Sequence, residues 1–76
     1  MKVLTKLMAQ ALVDNPNGVD VQEITGEQVS VIELKVSKED IGKVIGKQGN
    51  TAKAMRTILS AASSKLHRRT VLEIIE

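Results

Sequence analysis

The stretch "IGKVIGKQGNTAKAMRTIL", Ile41 to Leu59, carries a helical apolar repeat interrupted by two glycines set three apart, Gly46 and Gly49. Glycine inside a helix is destabilising by roughly 0.5–1 kcal/mol relative to alanine, so the pair predicts the end of one helix and the start of another. The chain is thereby committed to two consecutive helices joined by a turn too short to hide its own backbone. Gly46 can take the positive φ that closes the first helix, and Gly49 lets a ligand backbone approach with no Cβ in the way. The free N–H groups of the turn fall at the start of the second helix, where the macrodipole adds roughly half a positive charge and Lys47 adds a whole one. Gly46, Lys47, Gln48 and Gly49 are therefore predicted to form a seat for a phosphate. Lys43 one turn earlier, and Lys53 and Arg56 one and two turns later, line the approach to it.

The charges are distributed to match. Between Ile41 and Leu72 stand seven bases (Lys43, Lys47, Lys53, Arg56, Lys65, Arg68, Arg69) and no Asp or Glu, whereas residues 1–40 hold four bases against seven acids. A net charge of +2 conceals this segregation, which suggests a surface facing a polyanion.

Around the glycine pair the periodicities predict the remaining elements. Leu4, Leu7, Met8, Ala11 and Leu12 recur as a one-sided stripe, giving a helix over 2–13. "DNPNG", Asp14 to Gly18, breaks it with turn residues and a proline. "VDVQEIT" follows as a strand whose broken alternation allows a bulge, and "VSVIELKV" as a strand with Ile32, Leu34 and Val36 on one face; together they make a hairpin. Ser37 three residues before Asp40 reads as a capping box for a helix over 38–45. Asn50 can cap the second helix, about fifteen residues long, with Ala52, Met55, Leu59, Ala62 and Leu66 as its buried stripe and Ile58 beside it. "RRTVLEIIE" alternates Leu72 and Ile74 against Val71, Glu73 and Ile75 as a closing strand. The order α-β-β-α-α-β joins the strands before and after the helix pair by a long crossover, which suits parallel neighbours. The predicted fold class is α+β: a three-stranded mixed sheet with the helices packed on one face.

Seventy-six residues without a cysteine allow one small domain, residues 1–76, held by apolar packing alone. Lys2 and Lys6 interrupt the first apolar stretch, so no membrane span or export signal is read, and a soluble protein of a reducing compartment such as the cytoplasm is expected.

"IGKVIGKQGNTAKAMRTIL" resembles the signature of the K-homology (KH) domain, an aliphatic pair followed by G-x-x-G and a second helix. The element order resembles the type II form, and the size together with "GKQGNTAKAMRT" resembles the small bacterial KhpA (YlqC) RNA-binding family, over the whole chain. The resemblance implies single-stranded RNA in a groove, with the G-x-x-G loop clamping the backbone of about four nucleotides. On this chain it assigns the clamp to Gly46, Lys47, Gln48 and Gly49, followed by Asn50. Ile41, Val44 and Ile45 become the apolar floor, and Lys43, Lys53 and Arg56 its border. It further implies an RNA chaperone or post-transcriptional regulator, pairing with itself or with a larger KhpB/Jag-type KH protein, and effects on cell shape and cell wall growth. Ala52 departs from the branched aliphatic residue common three positions after the second glycine, which bears on groove depth.

Other chemistries find little support. The chain has no Phe, Tyr or Trp, so the base-stacking sheets of RRM and OB folds are poorly matched. His67, the single histidine, lies beside Arg68 and Arg69, which disfavours a metal; no cofactor is implied, and no carboxylate has a nucleophile or histidine near it for catalysis. "KLHRR", Lys65 to Arg69, reads as a solubilised helix end ahead of a further contact with RNA. Two further readings stay open: a protein-interaction module that keeps the fold without using the groove, and double-stranded DNA binding through the second helix.

Overall fold

Alternation along one strand organises the molecule. The computed structural model describes residues 1–75, and in it β2 (Val29–Lys35) is the centre of a sheet of order β1-β2-β3. β1 (Asp20–Thr25) pairs with it antiparallel, from Asp20 opposite Lys35 to Thr25 opposite Ser30, with no residue out of register. The bulge anticipated in β1 is therefore absent. β3 (Arg69–Ile75) pairs parallel on the other side, Val29 beside Arg69 through Lys35 beside Ile75. Because side chains alternate across a strand, Val21, Ile32, Leu34 and Leu72 share one face, and all four are buried.

The helices cover that face only. Ala9 and Val13 at the first helix, Val44 in the second, and Met55 and Leu59 in the third join the four strand residues and Val19 in one core cluster. Full burial of Ile32, Leu34 and Leu59 contributes about 1.5–3 kcal/mol each. No helix among the described residues is long and apolar enough to cross a membrane.

The first helix, α1 (Lys2–Leu12), is rotated from its predicted stripe. Thr5 and Ala9 are its buried residues, Leu4 and Met8 are half-buried, and Leu7, Ala11 and Leu12 face solvent. Thr5 can face inward because its Oγ1 donates to the Met1 carbonyl at 2.8 Å, which satisfies the hydroxyl and leaves its methyl to pack. The small Ala9 then lets the helix lie close to the sheet.

Two expected caps are also replaced. Ser37 precedes and Asp40 ends a 3-10 turn (Lys38–Asp40) that leads into α2 (Ile41–Ile45), and neither makes a side-chain cap. Asp40 is buried and instead accepts the amides of Asp14 and Asn15, at 3.3 and 3.1 Å, while Ser37 Oγ accepts Asn15 Nδ2 at 2.8 Å. The carboxylate thus ties the exit of α1 to the entry of α2. Asn50 is the first residue of α3 (Asn50–Ser64) rather than its cap, a place taken by Gly49.

α3 has the anticipated length and buries Ala52, Met55 and Leu59, but Ser63 takes the next core position and Leu66 lies past the helix end, exposed. The Ser63 hydroxyl hydrogen-bonds that of Thr70. Beyond Ser64 the chain turns through His67 at φ 56°, with the His67 and Arg68 amides returning to the carbonyls of Ser64 and Ser63 at 3.0 and 3.1 Å. That is a left-handed C-terminal cap in which histidine occupies the usual place of glycine. Arg68 Nη2 then donates to the Gly26 carbonyl at 2.8 Å and Ser30 Oγ at 2.9 Å, so this base pins the β1–β2 hairpin.

Candidate nucleic-acid interface

Between α2 and α3 the chain makes a single 3-10 turn, Lys47–Gly49. Gly46 enters it at φ 78°, ψ 174°, a region essentially restricted to glycine. A Cβ there would lie 2.1 Å from Thr51 Oγ1 and 2.8 Å from the Thr51 amide nitrogen. Gly49 leaves the turn at φ 75°, ψ 11°, and a Cβ on it would meet nothing within 4 Å. The two glycines therefore differ in role: Gly46 is required by close packing, whereas Gly49 presents bare backbone to open space. Gln48 between them is also left-handed, at φ 58°.

The amides of the turn are only partly free. Those of Gly46 and Gly49 donate to the carbonyls of Gly42 and Gly46, at 2.8 and 3.1 Å, and that of Asn50 donates to Lys47. The Lys47 and Gln48 amides meet no acceptor among the described residues, as the first positions of a helical turn have none upstream. Of the free N–H groups expected of the turn, these two adjacent ones stand open, flanked by the exposed Lys47 and Gln48 side chains.

The predicted border residues are distributed around this turn. On α3, three flanks separate by spacing: Ala52, Met55 and Leu59 face inward, Thr51, Ala54 and Ile58 face α1, and Lys53 and Arg56 fall on the remaining flank. Arg56 Nη2 reaches the Leu72 carbonyl at 3.4 Å, which places that basic flank over β3, the last strand of the sheet. Lys43 extends from α2 to form an ion pair with Asp14. The hydrogen bond that Lys43 donates to the Asp14 carboxylate, helped by the charges of Asp14 and Asp40, raises the Lys43 ammonium above its ordinary value of 10.5.

Of the three aliphatic residues assigned to the floor, Ile41 and Ile45 are half-buried and keep open surface. Val44 is a correction: it is fully buried in the core, so it supports the helix and offers no surface to a ligand. Ala52 is likewise buried, so its small side chain does not shape an open groove. Ile41 lines a cleft with Lys35, Val36, Lys38 and Ile75. The last four were not assigned to the site from the sequence, because only the parallel pairing of β2 with β3 and the turn into α2 bring them together. Two of them are lysines, which extends the basic border to the strand side.

A family model described as KhpA/KhpB, KH domain, matches residues 2–74. The RNA-binding protein KhpA of Clostridium acetobutylicum is 56% identical over 75 residues, covering 99% of this chain and all of that protein. The RNA-binding protein KhpA of Aquifex aeolicus is 53% identical over 76 residues, covering all of this chain and 96% of its own length. That of Treponema pallidum is 47% identical over 73 residues, covering 96% of this chain and 91% of its own. No solved structure matches. The α+β sheet with its α-β-β-α-α-β order, the helix–glycine turn–helix unit and these full-length matches agree: the chain belongs to the KhpA/KhpB family of KH-domain proteins.

Proposed function

We propose that the chain binds single-stranded RNA, with the Gly46–Gly49 turn gripping the sugar-phosphate backbone. The observation that carries this reading is the turn itself: two adjacent unpaired amides, at Lys47 and Gln48, project beside a glycine whose Cα faces open space. Phosphate oxygens are the acceptors such a site fits. Ile41 and Ile45 offer aliphatic surface to bases, and Lys53, Arg56, Lys38 and Lys35 flank the strand's path. The relatives named as RNA-binding proteins support the same ligand.

With no aromatic ring to stack on, binding is modest in affinity, loose in sequence preference and steeply weakened by salt. Those properties suit an RNA chaperone or post-transcriptional regulator acting on many transcripts in the cytoplasm. Replacing Lys47 and Gln48 together by Asp is the test. Circular dichroism stays near that of the parent while affinity for short single-stranded RNA collapses; retained binding would remove the clamp from its assigned place.

Pairing with a second copy or with a KhpB/Jag-type protein belongs to the same proposal. It is supported by an apolar surface between α1 and α3, where Leu12 is 38% and Ile58 48% exposed and Met8, Ala11 and Ala54 complete the patch. This patch also favours the second reading, an assembly module that leaves its groove unused. Crosslinking in cells followed by RNA sequencing separates the two, since a pure scaffold recovers no enriched RNA.

A further inference from the structure

The face of the sheet turned away from the helices carries a pattern that neither RNA binding nor the α1–α3 patch uses. Its middle row is aliphatic across all three strands: Ile24 opposite Val31, and Val31 beside Val71. Ile24 is 58% exposed and Val31 and Val71 are half-exposed, so the row is in contact with water. Two residues further along β2 and β3, Glu33 lies beside Glu73, like charges in adjacent register positions. Two residues back along the same strands, Val29 lies beside Arg69. Glu33, Glu73 and Arg69 have no ionic partner among the described residues.

The acids and the arginine are thus equally spaced on either side of an apolar row. A two-fold axis lying along that row, between two sheets packed face to face, stacks the row on its own copy. The same operation sets Glu73 of each molecule over Arg69 of the other. Sheets pack about 10 Å apart with strands within roughly 30° of alignment, distances that valine, isoleucine and the longer charged side chains span. The pattern is self-complementary, as an isologous interface requires. On this face Asp20, Glu33 and Glu73 outnumber Lys35 and Arg69, so its centre disfavours RNA, and only Lys35, at the strand end, reaches the path proposed for the nucleic acid.

We infer that the open face of the sheet is a site of weak self-association between copies of this chain. Strands of six, seven and seven residues present about 320 Å² in plan, well under the roughly 800 Å² per partner of a stable complex. The association is therefore reversible, with a dissociation constant in the range of about 0.1–1 mM. In the pair the Lys47–Gln48 turns lie on the outer, helix-covered sides, so the two copies present two separate loops.

Sedimentation equilibrium of the whole chain, up to millimolar concentration, tests this on the variants Arg69→Glu, Glu73→Arg and the double exchange. Circular dichroism checks the fold of each, and Ile58→Glu in the background of every variant removes association through the α1–α3 patch. Each single reversal weakens the remaining dimer about 5-fold or more, since two ion pairs become two like-charge contacts. The double exchange restores it. A monomer at every concentration in the Ile58→Glu background, single reversals without effect, or a double exchange no better than its parents would each overturn the proposal.

Discussion

Replacing Gly46 by alanine separates the structural glycine of the turn from the exposed one. The new methyl is held at φ 78°, ψ 174°, a conformation that costs about 1–3 kcal/mol for a residue with a Cβ. It also lies 2.6 Å from Thr51 Cβ and 2.8 Å from the Thr51 nitrogen, and the latter cannot rotate away because it is backbone. Relieving that overlap moves the first turn of α3, adding about 1–3 kcal/mol of overpacking cost. The sum, about 2–6 kcal/mol, is a large fraction of the roughly 4–11 kcal/mol available to a domain of this length. Gly49→Ala meets no neighbour and carries only the left-handed cost of about 1–2 kcal/mol. Urea unfolding followed by far-ultraviolet circular dichroism is the assay, since the chain lacks Trp, Tyr and Phe for fluorescence. In thermal melts followed the same way, the midpoint of Gly46→Ala falls by at least ~8 °C, at about 4–8 °C per kcal/mol. A loss at Gly46 no larger than at Gly49 would refute the packing argument.

Asp40→Ala strips the acceptor from the partly buried amides of Asp14 and Asn15 and destabilises by about 2–4 kcal/mol in the same urea assay, with Asp40→Asn losing less. His67→Gly relieves the left-handed cap after α3 and raises stability by about 0.5–1 kcal/mol. Asp14→Asn releases Lys43 from its ion pair, so RNA affinity rises and the salt dependence steepens by about 0.7 in log–log slope, read by titration at several salt concentrations. A raised lysine value means the charge on Lys43 is fully present below 10.5 and is lost only as pH climbs past its folded value. The stability difference between parent and Asp14→Asn therefore holds constant from about pH 7 to 9 in thermal melts, and shrinks only in stronger alkali.

Sequence periodicity captured the element order and the glycine turn because each depends on neighbours a few residues away, and the long crossover between the second strand and the last pointed to their parallel sense. It misplaced the buried face of α1, where a hydroxyl hidden against the Met1 carbonyl lets Thr5 pack like valine while Leu7 and Leu12 are left outside. Ser37 and Asp40 have capping-box spacing, but Asp40's partners are amides 25 and 26 residues away, which no local pattern reveals. In the candidate site, the loop residues and the basic flank of α3 could be read directly. Val44 could not be told from Ile41 and Ile45, since a five-residue helix turns only once and all three are aliphatic. Lys35, Lys38 and Ile75 enter the cleft through strand pairing and the turn after β2, which hydropathy does not encode.

The parallel register of β2 with β3 has a kinetic consequence. Val29 finds Arg69 and Lys35 finds Ile75 only after a loop of about forty residues has closed, a loop containing both helices of the turn. α2 and α3 can form early from local contacts, yet they become fixed in place only when the last strand zips alongside the second. Refolding therefore proceeds more slowly than for a helical bundle of equal length. In the interval before β3 docks, Arg56 has no Leu72 carbonyl to reach, and the basic flank of α3 has no strand beneath it.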